Sequence, residues 1–180
     1  ALFLFIGEFM AIDNRIERAR ARGLYTDHEL NVLWPKFLTE KASKRINSEW
    51  IPKVNEMKTL LQRGKEIQEQ INILGDDGVP VDYHEQFWKS EVIDFVILQQ
   101  DAFDKIDAVC PLERQEYMLD LVMDICRHDY DFDNFVDVNE YFKRVINLCK
   151  QMNYSEFQSE QFKDYEQKLH ALLAEKQIAA

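Results

Sequence analysis

The chain has 180 residues, 46% of them apolar and 31% charged, ordinary proportions for a soluble globular protein. Only 5 Gly and 4 Pro punctuate it, which favours long helices over many short strands. The net charge of −11 argues against nucleic-acid binding, because no basic stripe is available to neutralise phosphates. Acidic helical faces of this kind are ordinarily solvated surface.

The chain opens on an apolar run from Ala1 to Ile6 that is interrupted at Glu8 and followed by Asp13, Asn14 and Arg15. That is far short of the ~20 residues of a spanning helix, so no direct membrane insertion is expected. No cationic region precedes the run, which also argues against a signal peptide. With no initiator Met, the expected reading is a fragment or processed product whose apolar start packs on something else.

Seven helical stretches are legible, predicting an all-α bundle of about six to seven helices. The first runs from about Leu2 to Arg22 and stops at Gly23, a helix C-terminal signal. The second opens on Thr26-Asp27-His28-Glu29, a capping box, and is broken or kinked at Pro35. In the third, Trp50, Val54, Met57, Leu61, Gly64, Ile67, Ile71 and Leu74 recur at steps of three and four and draw one apolar stripe. Gly64 inside that stripe predicts the close approach of a neighbouring helix.

Gly75 to Pro80 then breaks the chain, and Asp82-Tyr83-His84-Glu85 predicts a new start leading to Leu98. Cys110-Pro111 opens the fifth stretch, with Pro111 where a proline is tolerated and a stripe of Leu112, Leu119, Val122, Ile125 and Cys126. The sixth is expected to be capped from Asp137, with Tyr141, Val145, Leu148 and Met152 inward. The seventh is expected to be capped from Ser155, with Phe162, Tyr165, Leu169 and Leu172 inward. The most probable seam falls near Ile46-Asn47-Ser48, dividing a helical lead-in (1–47) from the main bundle (48–180).

Chemistry is sparse. No glycine is followed by the Lys and Ser/Thr that a phosphate-cradling loop requires. No nucleophile elbow, zinc-helix or dinucleotide motif is present either. Cys110, Cys126 and Cys149 lack CxxC spacing, so buried thiols in a reducing compartment are expected for Cys126 and Cys149. The histidines supply no zinc-ligand spacing, and no metal or cofactor site is expected.

One segment does imitate a calcium loop. Asp129, Asp131, Asp133, Asp137 and Glu140 fall at the first, third, fifth, ninth and twelfth places of an EF-hand pattern. Asn134 stands where the pattern requires Gly, and Tyr130 and Phe132 occupy places that normally face water. A helix–helix connection with buried aromatics and a capping aspartate is the competing reading, and it is preferred.

Two further segments carry a resemblance. Ile71-Asn72-Ile73-Leu74-Gly75-Asp76-Asp77-Gly78-Val79-Pro80 is the first. Leu98-Gln99-Gln100-Asp101-Ala102-Phe103-Asp104-Lys105-Ile106-Asp107, continued by Cys110-Pro111-Leu112-Glu113-Arg114-Gln115, is the second. Together they resemble the C-terminal domain of the catalytic A subunit (alpha chain) of V/A-type rotary ATPases. That family reads there as a Gly-x-Asp-x-x-Pro turn and then a helix ending in Phe-Leu-Gln-Gln-x-Ala-Phe. Here Ile97 stands before the Leu-Gln-Gln, and the first 47 residues match poorly. The resemblance spans roughly Ser48 to Met152.

The resemblance implies a parent subunit whose P-loop and nucleotide-binding sheet lie outside this chain. That subunit would alternate with B subunits around a central stalk and bind ATP or ADP with Mg²⁺. It would couple ATP synthesis or hydrolysis to proton or sodium transport, in a cytoplasmic head attached peripherally to a membrane sector. It implies that the turn with Gly75, Asp76, Asp77, Gly78 and Pro80 approaches the rotor. Gln99, Gln100 and Phe103 would lie near the adenine pocket, with core packing the competing role for Phe103. The piece alone, lacking the P-loop, is expected to be inactive. A stand-alone helical adaptor and a calcium-responsive helix–loop–helix at 129–140 are the alternatives.

Overall fold

A computed structural model describes residues 50–99, 101, 103–108, 110–176 and 178. The chain divides into two compact units, Ala1–Glu56 and Met57–Ala180. The described residues hold five α-helices and no strand, only a single β-bridge at Tyr130. The all-α class holds, with five α-helices among the described residues where six to seven are expected over the chain. The two stretches read before Trp50 lie outside the described residues.

Helix α1 spans Trp50–Leu74 and α2 spans Val81–Ile93, with a single 3-10 turn, Asp76–Gly78, between them. A π-helical turn, Asp94–Leu98, ends α2. Helices α3 (Leu112–Arg127), α4 (Phe135–Asn153) and α5 (Glu160–Lys176) follow. Helix α4 is the centre of its unit, packed against α2, α5 and the π-turn, while α3 meets α2 and the π-turn. Its core face buries Val138, Tyr141, Phe142, Val145, Cys149 and Met152. Each such side chain removed from water contributes on the order of 1.5–3 kcal/mol.

The α1 stripe is buried at Trp50, Val54, Met57 and Ile67, but it loosens towards its end. Leu74, expected inward, is 60% exposed, because the last turn of α1 carries it out to the acidic turn. Gly64 does mark a close approach, with Ser90 of α2 against it. Next to this crossing, Arg63 lies over the Tyr83 ring at 5.0 Å and donates to Gln86 Oε1.

Three helix starts differ from the sequence expectation. Helix α2 begins after Pro80, whose φ of −57° is already set for a helix entry, so Asp82 sits in the first turn and caps nothing. Helix α4 is capped by Asn134, not Asp137: Asn134 Oδ1 accepts from Asp137 N at 3.0 Å, and Asn134 Nδ2 returns a bond to Asp137 Oδ2. Helix α5 is opened by Ser159, whose Oγ accepts from Phe162 N at 3.2 Å. Ser155 instead closes α4, donating to Gln151 O. For α4 and α5 a polar residue at a different capping register makes the bond, whereas α2 has no side-chain cap.

Candidate functional site

The turn between α1 and α2 is built on Gly75, whose φ of +77° strongly favours glycine. Gly78 lies over Leu74, where a Cβ would come within 3.0 Å of the Leu74 Cβ. The turn is held from below by His84, which is buried. Its Nε2 donates to Asp76 O at 3.0 Å, and its ring stacks on Phe135 at 5.2 Å. The turn itself faces solvent. Asp76, Asp77, Gly78 and Pro80 are exposed, together with the apolar side chains of Ile73 and Leu74.

The second region runs from the π-turn to α3. Gln99 N donates to Asp94 O at 2.8 Å, which defines the wide turn, and Gln99 Nε2 donates to Asp94 Oδ2 at 2.6 Å. Beyond it, acidic side chains organise the backbone. Asp101 Oδ1 accepts from Phe103 N, Asp104 Oδ1 accepts from Ile106 N and Asp107 N, and Asp107 Oδ2 accepts from Asp101 N. Aspartates bonding to nearby amides in this way fold a loop without helix or strand. Its product is Phe103, 99% exposed on the loop surface, so it takes no part in the core. Gln100 lies outside the described residues.

Burial pushes the Asp107 carboxyl above the usual aspartate range, against the Asp101 amide and the Arg114 guanidinium, which both pull it down. Tyr154, at the end of α4, has its hydroxyl raised by burial and by the carboxylates of Asp101, Asp107 and Asp104.

The sequence pattern that imitates a calcium loop takes a different form. Residues 135–140 are the first turns of α4, and Glu140 is exposed on that helix. Asp129, Asp131 and Asp133 are exposed too, and no cluster able to hold a metal occurs among the described residues. Tyr130 is buried instead, its hydroxyl donating to Ile125 O, in an aromatic group with Phe132, Tyr141 and Phe142. Asp131 N donates to Lys176 O and Ile178 N to Asp129 O, which tie the loop to the end of α5.

Sequence reasoning missed the buried polar groups around these regions. Arg114, Lys89 and Asn153 all lie in the core. Lys89 Nζ donates to His128 O at 2.6 Å, pairs with Glu85 at 2.6 Å and lies over the Tyr130 ring. An apolar-stripe reading passes over such residues, and only their helical phase places them inward.

A family model described as the C-terminal domain of V and A type ATP synthase matches residues 39–131, just over half of the chain. The chain belongs to this family. It is similar to the V-type ATP synthase alpha chain of Chlamydia caviae, with 29% identity over 175 residues, 96% of this chain and 29% of that protein. The alpha chain of Protochlamydia amoebophila is 32% identical over 133 residues, 72% of this chain and 22% of the relative. That of Borrelia duttonii is 31% identical over 121 residues, covering 67% and 21%. The chain thus spans less than a third of the length of these relatives.

Coverage of 96% takes in much of residues 1–47, and the family match begins at residue 39. The likeness to V/A-type alpha chains therefore extends further towards Ala1 than the sequence motifs alone indicate. No helix among the described residues is long and apolar enough to cross a membrane.

Proposed function

We propose that this chain is the lever of a catalytic A subunit in a V/A-type rotary ATPase. In that subunit ATP synthesis or hydrolysis, with Mg²⁺ and a P-loop carried elsewhere, is coupled to stalk rotation and to proton or sodium transport. Its partners are the B subunits and the central stalk, in a cytoplasmic head held peripherally at a membrane. Membership of the family over residues 39–131 carries the reading. Two exposed elements supply the places where it acts.

The first is the turn from Gly75 to Pro80. Asp76 and Asp77 are exposed on a turn backed by buried His84, an arrangement suited to pressing on basic residues of a rotor. Such contacts are screened by salt and add little static affinity. Their role is to transmit a two-state movement of the bundle. The second is Phe103, whose exposed ring offers a wall for an adenine base. Gln99 has its amide nitrogen on Asp94, which leaves its oxygen for any bond to the base.

The test is reassembly. The chain within its whole subunit should co-purify with B and stalk subunits, and Asp76→Lys with Asp77→Lys should weaken stalk binding most at low salt. Unchanged stalk binding would remove the rotor contact from this turn. By itself the chain should bind no ATP, since one wall without a phosphate grip holds no nucleotide. Micromolar affinity by calorimetry would overturn that part.

A further inference from the structure

The two roots of the Phe103 loop meet at the end of α4, one on Asn153 directly and the other through Arg114. Asn153 Nδ2 donates to Val96 O at 2.9 Å, at the upstream root. Asn153 O accepts from Arg114 Nη2, and Arg114 Nη1 donates to Ile106 O at 3.4 Å, at the downstream root. A second bond from Nη2 reaches Met152 O at 3.4 Å. Arg114 is 1% exposed and Asn153 8% exposed, so this junction is removed from water.

The chemistry explains why arginine stands here. The final carbonyls of a helix lack intrahelical donors and carry the negative end of its dipole, so they favour a cation. A planar guanidinium directs donors two ways at once, to the end of α4 and to the loop, where an ammonium is a point charge on a flexible stem. The Asp107 carboxylate lies close enough to act on Arg114 electrostatically, which offsets part of the cost of burying the cation.

We propose that Arg114 is a positioning residue for Phe103: with Asn153 it ties Val96 and Ile106, on either side of Phe103, to the C-terminal end of α4, so that Phe103 follows the movement of that helix. The inference rests on the reading of Phe103 as a nucleotide wall and adds the part that sets its position. Movement of the central helix is thereby delivered to the aromatic ring without any contact between α4 and nucleotide.

Two variants test it. Arg114→Lys keeps the charge and loses the fork; Asn153→Ala deletes one neutral bond and keeps the accepting carbonyl. Amide hydrogen exchange in the full chain is followed at Phe103, Ile106 and Asp107, with Val145 to Cys149 of α4 as reference. In both variants the loop amides should exchange about tenfold faster, while the reference amides stay within about twofold. In the whole subunit within its ATPase, Arg114→Lys should raise KM for ATP and leave kcat unchanged.

Loop amides that do not accelerate would overturn the clamp. So would equal acceleration of loop and reference amides, which describes a residue that merely holds the fold. A loosened loop with unchanged KM would overturn the positioning role. Phe103→Ala tests the underlying reading separately: an unchanged KM there removes the nucleotide wall itself. Should Arg114→Lys fail to fold, Asn153→Ala decides through both readouts.

Discussion

A Cβ built on Gly64 would lie 1.8 Å from Ser90 Oγ and 2.4 Å from Ser90 Cβ, so α1 and α2 approach where only a hydrogen fits. Rotating Ser90 cannot relieve a contact with its Cβ, and Ser90 Oγ is engaged with Phe87 O at 2.7 Å. Gly64→Ala gains about 1 kcal/mol of helix propensity but forces the helices apart, at a cost of about 1–3 kcal/mol. A net loss of stability is expected in denaturant titration. Adding Ser90→Gly should recover much of it, and a double-mutant cycle with no coupling would refute the contact.

Phe103→Ala should separate function from folding. An exposed side chain contributes little to stability, so the melting midpoint should correspond to a change within about 0.5 kcal/mol. Nucleotide affinity in the whole subunit should fall, read as a higher KM for ATP. A large drop in melting temperature would place the ring in a core instead.

The Asn134 box gives a prediction of opposite kind. Asn134→Ala removes the acceptor for Asp137 N and should destabilise α4 by about 1 kcal/mol. Millimolar calcium should leave the melting temperature of the unmodified chain where it is. The latter half of the imitated loop is already helical, and a ligand that bound the native state would have to raise it.

Glu91 supplies a pH dependence. Burial, then the Asp94 charge, raise its folded pKa above the ordinary glutamate value of 4.5. A carboxyl raised in the folded state binds protons more readily there than in the unfolded chain. Its contribution to stability is therefore fully present below 4.5 and is lost as pH rises through the folded value. Glu91→Gln should be the more stable form at neutral pH, and the two melting curves should converge on acidification to the ordinary range. A constant offset across that window would contradict the shift.

Much of the architecture was legible because apolar phase is a strong signal. The stripe from Trp50 to Ile67 and the Pro111 entry to α3 both hold. Most of the inward positions of α4 and α5 hold as well, with Leu148 and Tyr165 only half-buried, and Gly64 lies at a helix crossing as its place in the stripe predicts. What escaped depends on polar atoms. Asp137 and Asn134 are both good caps three residues apart, and only the local bonds choose between them. The π-turn at Asp94–Leu98 leaves no mark in apolar spacing, and Arg114 and Asn153 look like ordinary surface residues until their carbonyl partners are known. For the site, the exposed turn and Phe103 were named from family motifs; the apparatus beneath them was not.

The bridge between the Asp129–Asp131 segment and the Lys176–Ile178 end joins parts of the chain that are far apart in sequence. Loop-closure entropy opposes these bonds until the intervening helices bring the two segments together, so they are expected to form late in folding. Interactions absent from the transition state govern how fast a native protein comes apart rather than how fast it assembles. The two backbone bonds at the end of α5 are therefore expected to slow unfolding of the helical unit more than they speed its folding.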